Sequence, residues 1–241
     1  MEQNKTSKYF KYAIGEIILV VIGILIALSI NTWNENNKSE KEASFQLSKL
    51  RDNLKADKLQ LKNAIASDSL YVDNLLFCIK VLSNEIVAPR DEFLNRFQYI
   101  SSLINFDPTR GTFEGLISSG KIELISNQNL LDDLFSYYNA SVYSAWDSAA
   151  KDYSRNVIMP YILGFDHISN ATNETEGQYF TQFDLSKFSV PSKTIDDYKN
   201  NLFILNALRQ KIQLLEGQKA AYIELLKVID SLINNIDTEL K

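Results

Sequence analysis

Residues Ala13–Trp33 read AIGEIILVVIGILIALSINTW, and the eighteen positions from Ala13 to Ile30 hold one charge, Glu16. As a helix these twenty-one residues extend about 31 Å at roughly 1.5 Å per residue, which matches a hydrocarbon core of roughly 30 Å. No other stretch of the chain combines that length with so few charges. Tyr9, Phe10 and Tyr12 stand before the span and Trp33 closes it, where amphipathic aromatics favour the interface. The segment therefore reads as a transmembrane helix over 12–33. A cleaved signal peptide, with Ala27 and Ser29 as the small residues, is the rival reading, but the apolar run is long for one.

The flanks set the expected orientation. Lys5, Lys8 and Lys11 precede the span with only Glu2 against them, whereas Glu35, Lys38, Glu40, Lys41 and Glu42 after it are mixed. The positive-inside bias puts 1–11 in the cytoplasm and 34–241 outside. Within the span, Glu16 lies about one turn from the boundary, and Gly23 and Ala27 form a small-xxx-small pair. These three are the candidate membrane-helix contacts, with snorkelling to the headgroups as the plainer role for Glu16.

The exported part reads as all-α. From Glu40 to Val87 there is neither Gly nor Pro, and Leu47, Leu50, Leu54, Leu61, Ala64, Tyr71, Leu75, Cys78 and Leu82 recur at three and four spacing, with Asp57 and Asp68 interrupting. This predicts a long helix over 40–87, with a possible break at Ser67–Ser69 and a stop at Pro89. Middle helices follow at 91–105, 112–119 and 127–159, the last started by Ser126 or Asn127 and kinked or ended by Pro160. A loop is expected at 164–192. The last helix, 194–240, places Leu208, Ile212, Leu215, Lys219, Tyr222, Leu226, Ile229, Ile233, Ile236 and Leu240 on one heptad stripe. Two long helices at opposite ends of the domain pair most simply as antiparallel members of a bundle, with a coiled coil between chains as the other use of the stripes.

Two blocks resemble a known family. KYFKYAIGEIILVVIGILIALSINTWNE (Lys8–Glu35) and TFEGLISSGKIELISNQNLLDDLFSYY (Thr112–Tyr138) are similar to uncharacterised bacterial single-pass proteins, the family called domain of unknown function 6090. The resemblance implies an inner-membrane protein with a periplasmic domain, and it implies no activity.

Composition narrows the function further. A net charge of −5 gives no support to nucleic-acid binding, which needs a basic face. The one cysteine, Cys78, rules out an intrachain disulfide and reads as core. Gly115-Leu-Ile-Ser-Ser-Gly120-Lys121 matches seven positions of a phosphate loop, but Ile122 stands where the Mg²⁺-binding hydroxyl belongs, so Gly120 reads as a helix terminator. His167 is the single histidine and suits a surface or packing role. Asp132-Asp133 and Asp196-Asp197 fit helix N-termini better than paired-acid catalysis. Arg110, Lys121 and Glu123 form a candidate partner surface. The expectation is an interaction or scaffolding protein of the cell envelope, not an enzyme, with no cofactor or metal. Its partners would be the lipid bilayer and another envelope protein or a second copy. An extracytoplasmic ligand-sensing bundle is the alternative.

Overall fold

The computed structural model describes residues 3–139, 142–166 and 191–240. Among them there is no strand. His167 and most of the expected 164–192 loop lie outside the described residues, as do the side chains of Lys5, Lys8, Tyr9, Phe10, Lys11 and Tyr12.

Helix α1 runs without a break from Gln3 to Leu82, eighty residues. Membrane-length helix and first bundle helix are thus one element, about 120 Å long at roughly 1.5 Å per residue. Its apolar window has a mean hydropathy of 2.5 and none of it is buried inside the protein, so the helix is long and apolar enough to cross a bilayer. The expected break at Ser67–Ser69 does not occur. Ser69 Oγ donates to the Ile65 carbonyl at 2.9 Å, so the hydroxyl follows the helix instead of capping a new one. The helix stops at Leu82, earlier than the expected 87. Asn84 takes φ +63°, and the Glu85 N–H reaches the Lys80 carbonyl at 2.9 Å. That six-to-one closure is a Schellman stop, and Asn tolerates the left-handed position better than other non-glycine residues.

The middle is more segmented than the sequence suggested. Helix α2 spans Arg90–Phe97 with Pro89 at its N-cap, and a 3-10 turn Gln98–Ser101 follows it. The chain is non-helical from Ser102 to Arg110, so the helix expected over 91–105 ends early. Helix α3 spans Gly111–Ser118 and is closed by Gly120 at φ +69°, the left-handed residue the sequence suggested. The helix expected over 127–159 is two. Helix α4 (Gln128–Tyr138) is capped by Asn127, whose Oδ1 accepts from the Leu130 N–H at 3.1 Å, and it ends at Asn139. Helix α5 spans Val142–Tyr153. A π turn at Ser154–Ile158 then feeds α6, Met159–Phe165. Pro160 therefore does not end the helical path; it sits in the first turn of α6, directly after the π turn. The widened turn before it relieves the clash a proline ring makes with the preceding turn's carbonyl.

The last helix is also divided. Thr194 and Asp197 form a reciprocal capping box that starts α7, Ile195–Lys199. Asn201 accepts from the Ile204 N–H and starts α8, Leu202–Glu239. Two adjacent asparagines thus separate what read as one helix.

Helices α1 and α8 pair antiparallel within the chain. Arg51 Nη1 donates to Asp237 Oδ1 at 3.0 Å, and Lys58 pairs with Asp230. The two bridges are seven residues apart on each helix, in opposite directions, so the register is held over two turns. Ile204, Ala207 and Leu214 of α8 are buried, and so is a continuous ridge of Leu208, Lys211, Leu215, Gln218, Tyr222, Leu225, Ile229, Leu232 and Ile236. The ridge positions from Leu208 to Ile236 alternate by three and four. The expected stripe had every second member right and the others one residue late, because the true positions include Lys211 and Gln218. Ile212, Lys219, Leu226 and Ile233 are half-buried shoulders.

The core falls into two clusters. The basal one, nearer the apolar segment, joins Leu47–Ala64 of α1 to Tyr222–Ile236 of α8, with Phe113 of α3 and Leu130, Leu134, Tyr137 and Tyr138 of α4. The distal one joins Val72–Leu82 to Ile204–Leu215, with Phe93, Phe97 and Tyr198. Tyr198 meets both phenylalanines edge-on at 5.1 Å between ring centroids. Cys78 lies in this distal core, and burial pushes its thiol up to about 12, so it stays neutral and unreactive.

Candidate functional site

Two polar places stand out from this frame, one open and one closed. The open one is a groove of about 610 Å³ at the basal end of the bundle. Ser39–Leu47 of α1 form one wall and Gly120–Ser126 the other, with Glu239 at the end of α8 closing it. The second wall exists because Gly120 turns the chain after α3 and a 3-10 turn, Lys121–Leu124, carries it along α1. Lys121 Nζ bridges to Glu42 Oε1 at 3.1 Å, and Asn127 Nδ2 donates to Glu239 Oε1 at 2.7 Å. Hydrogen bonding from Gln46 and then Lys121 holds the Glu42 carboxyl below the usual carboxylate range. Glu40, Glu123 and Glu239 line the groove with Lys121 as its cation, so its field is acidic. Ser39 follows Trp33 by six residues, about 9 Å along an α-helix.

Of the three residues that the sequence offers as a partner surface, the structure brings two together. Lys121 and Glu123 both line the groove. Arg110 does not join them; its guanidinium donates to the Tyr138 carbonyl, tying the turn before α3 to the end of α4. Glu16, Gly23 and Ala27 are exposed on the bare part of α1, with no other part of the chain within 4 Å of a Cβ built on Gly23.

The closed place is a layer of buried polar side chains between the two core clusters. Asp68 of α1, Asp147 of α5, and Lys211 and Gln218 of α8 are all buried, Asp68, Lys211 and Gln218 completely. Asp147 is well supplied. It accepts from the Phe106 N–H at 2.9 Å, and from Gln218 Nε2 and the Tyr222 hydroxyl at 2.6 Å each. Lys211 Nζ donates to the Ser102 carbonyl and to Ser154 Oγ, both at 2.8 Å. Burial lowers the Lys211 ammonium to about 8, against an upward pull from Asp68. Asp68 differs, since among the described residues neither of its carboxylate oxygens has a hydrogen-bond partner, and Gln218 Oε1 has none either. Burial first, and then the Asp147 carboxylate, push the Asp68 carboxyl up to about 7.

A third buried acid, Asp57, is structural. Its Oδ1 accepts from the Thr109 N–H at 2.9 Å and from the Thr109 hydroxyl at 2.6 Å, and its Oδ2 accepts from the Tyr137 hydroxyl at 2.8 Å. It pins the 107–111 turn and α4 to α1. The sequence flagged Asp57 and Asp68 only as interruptions of an apolar stripe. That interruption was the signal, since both acids sit on the buried ridge.

Among the described residues no group of three or more His, Cys, Asp or Glu is placed to hold a metal. A model of a family of unknown function, DUF6090, matches residues 16–152, more than half of the chain. The fold is therefore that of a helical protein with one apolar N-terminal helix, and the chain belongs to the DUF6090 family. No curated protein and no solved structure matches it.

Proposed function

We propose that this chain is a single-pass, non-catalytic interaction protein of the bacterial inner membrane, with its N-terminus cytoplasmic and its helical domain periplasmic. The observation that supports this most is the continuity of α1. One unbroken helix contains the apolar segment and becomes the spine of the bundle, so the domain is joined to that segment without a flexible linker. The basal groove then opens about 9 Å from the end of the apolar segment. Its acidic lining suits a basic, polar stretch of a second membrane-anchored chain. The lysine flank before the span and the mixed flank after it support the orientation.

The test is site-specific photo-crosslinking of the full chain in cells. A photoreactive residue at Lys121 or Glu123 is expected to give one defined adduct with another envelope protein. The same probe at Leu202, exposed at the distal end, is the control. Adducts at Leu202 matching those at Lys121, or none at either groove position, would overturn the assignment of the groove. A metabolite that raises the melting temperature of the full chain would favour the ligand-sensing alternative.

A further inference from the structure

We propose that the Asp68 layer is a proton-controlled joint: protonated Asp68 lets the basal and distal halves of the bundle pack as one, and loss of that proton loosens them.

The argument starts from position. Asp68 occupies a core site of α1 between Ala64 of the basal cluster and Val72 of the distal cluster. The antiparallel register sets it across from the Gln218–Tyr222 turn of α8. A carboxylate there is fully buried and meets no donor among the described residues, although the neighbouring Asp147 takes three. An ionised carboxylate without donors is among the costliest groups a core can hold, whereas a neutral carboxyl is far cheaper. The charged and titratable groups acting on Asp68 come from every element that faces it. They are Asp147 on α5 and Glu216 on α8, which oppose its charge, and Lys211 and Lys219 on α8, which favour it. Tyr222 on α8 and Tyr71 on α1 feel its charge in turn. Lys211 does not neutralise the site by contact, because its donors go to Ser102 and Ser154. The folded state therefore favours the protonated acid.

The sign follows. A carboxyl raised from 3.8 to about 7 on folding contributes stability below its unfolded value, and that contribution is lost as pH rises through about 7. Opening of the joint becomes easier by on the order of tenfold between about pH 5.5 and about pH 8.

Hydrogen exchange on the full chain in detergent reads this directly, after correction for the intrinsic pH dependence of exchange. Amides of residues 64–75 and 211–222 should lose protection by on the order of tenfold at the higher pH. The isosteric variant Asp68→Asn, a mimic of the protonated acid, should keep its protection at both. Wild-type protection unchanged with pH, or an equal loss in Asp68→Asn, overturns the proposal. The ¹³Cγ resonance of Asp68 in the unsubstituted chain gives an independent check: titration near neutrality supports the joint, and titration in the ordinary aspartate range sinks it.

Discussion

The indole of Trp146 on α5 lies against the backbone of Gly217 on α8, where its six-membered ring fills the place that a Cβ at position 217 would take. Gly217 is thus the contact point between these two helices, and its lack of a side chain sets how closely they approach. Helix propensity alone favours Ala there by about 1 kcal/mol. Overpacking should outweigh that gain, so Gly217→Ala is expected to destabilise the domain by about 1–3 kcal/mol in chemical denaturation. In a Trp146→Ala background the same change should be neutral or favourable. A Gly217→Ala protein as stable as the parent would show that the ring moves aside freely.

Asp57 supports a prediction of a different kind. Removing it takes an acceptor from the Thr109 N–H and hydroxyl and from the hydroxyl of the buried Tyr137. Asp57→Ala should cost roughly 3 kcal/mol, while Tyr137→Phe, which removes one donor and leaves Asp57 its Thr109 bonds, should cost roughly 1 kcal/mol. Melting temperatures of the two variants, ranked against the parent, check the order. The reverse ranking would mean that Asp57 does not anchor the turn.

Lys211 gives a pH dependence at the alkaline end. Its ammonium is lowered from 10.5 to about 8 by burial, so the fold favours the neutral amine more than the unfolded chain does. Stability should therefore rise as pH increases from about 8 to about 10.5 and be flat in this respect just below. The full swing is on the order of 3 kcal/mol. Urea unfolding across that range should show the rise in the parent and not in Lys211→Met. A parent curve without it would place the ammonium in a better-solvated setting.

The bridges that fix the α1–α8 register contribute little energy. Asp237 and Asp230 keep nearly half of their side-chain surface in solvent, so each pair should be worth under about 1 kcal/mol in a double-mutant cycle and weaken with salt. Their value is in register. A coupling well above that, insensitive to salt, would contradict the solvent-screened picture.

The elements visible from sequence were those written in periodicity. The apolar segment, the α1 ridge from Leu47 to Leu82, and the alternate heptad positions Leu208, Leu215, Tyr222, Ile229 and Ile236 were all legible, because burial repeats along a helix. What stayed hidden was polar chemistry inside that period. Lys211 and Gln218 occupy core positions, and a binary apolar pattern slides past them to Ile212 and Lys219. The stops at Asn84 and Asn200–Asn201 were missed because asparagine's left-handed and capping conformations depend on local geometry more than on composition. Pro160, expected to kink or end the helix, does not end it: a π turn precedes it and the helical path runs on. Of the candidate partner residues, Lys121 and Glu123 converge because Gly120 reverses the chain beside them. Arg110 has the same kind of side chain, but it is held at the Tyr138 carbonyl.

The central claim is that one helix crosses the bilayer and emerges as the spine of a domain on the far side. Thiol labelling in cells with a permeabilised outer membrane and an intact inner membrane tests it most directly, since the native Cys78 is buried and contributes little background. With an impermeant maleimide, Lys62→Cys should label at once and Ser7→Cys only after the inner membrane is lysed. Labelling of Ser7→Cys in intact cells, or of Lys62→Cys only after lysis, would contradict the account.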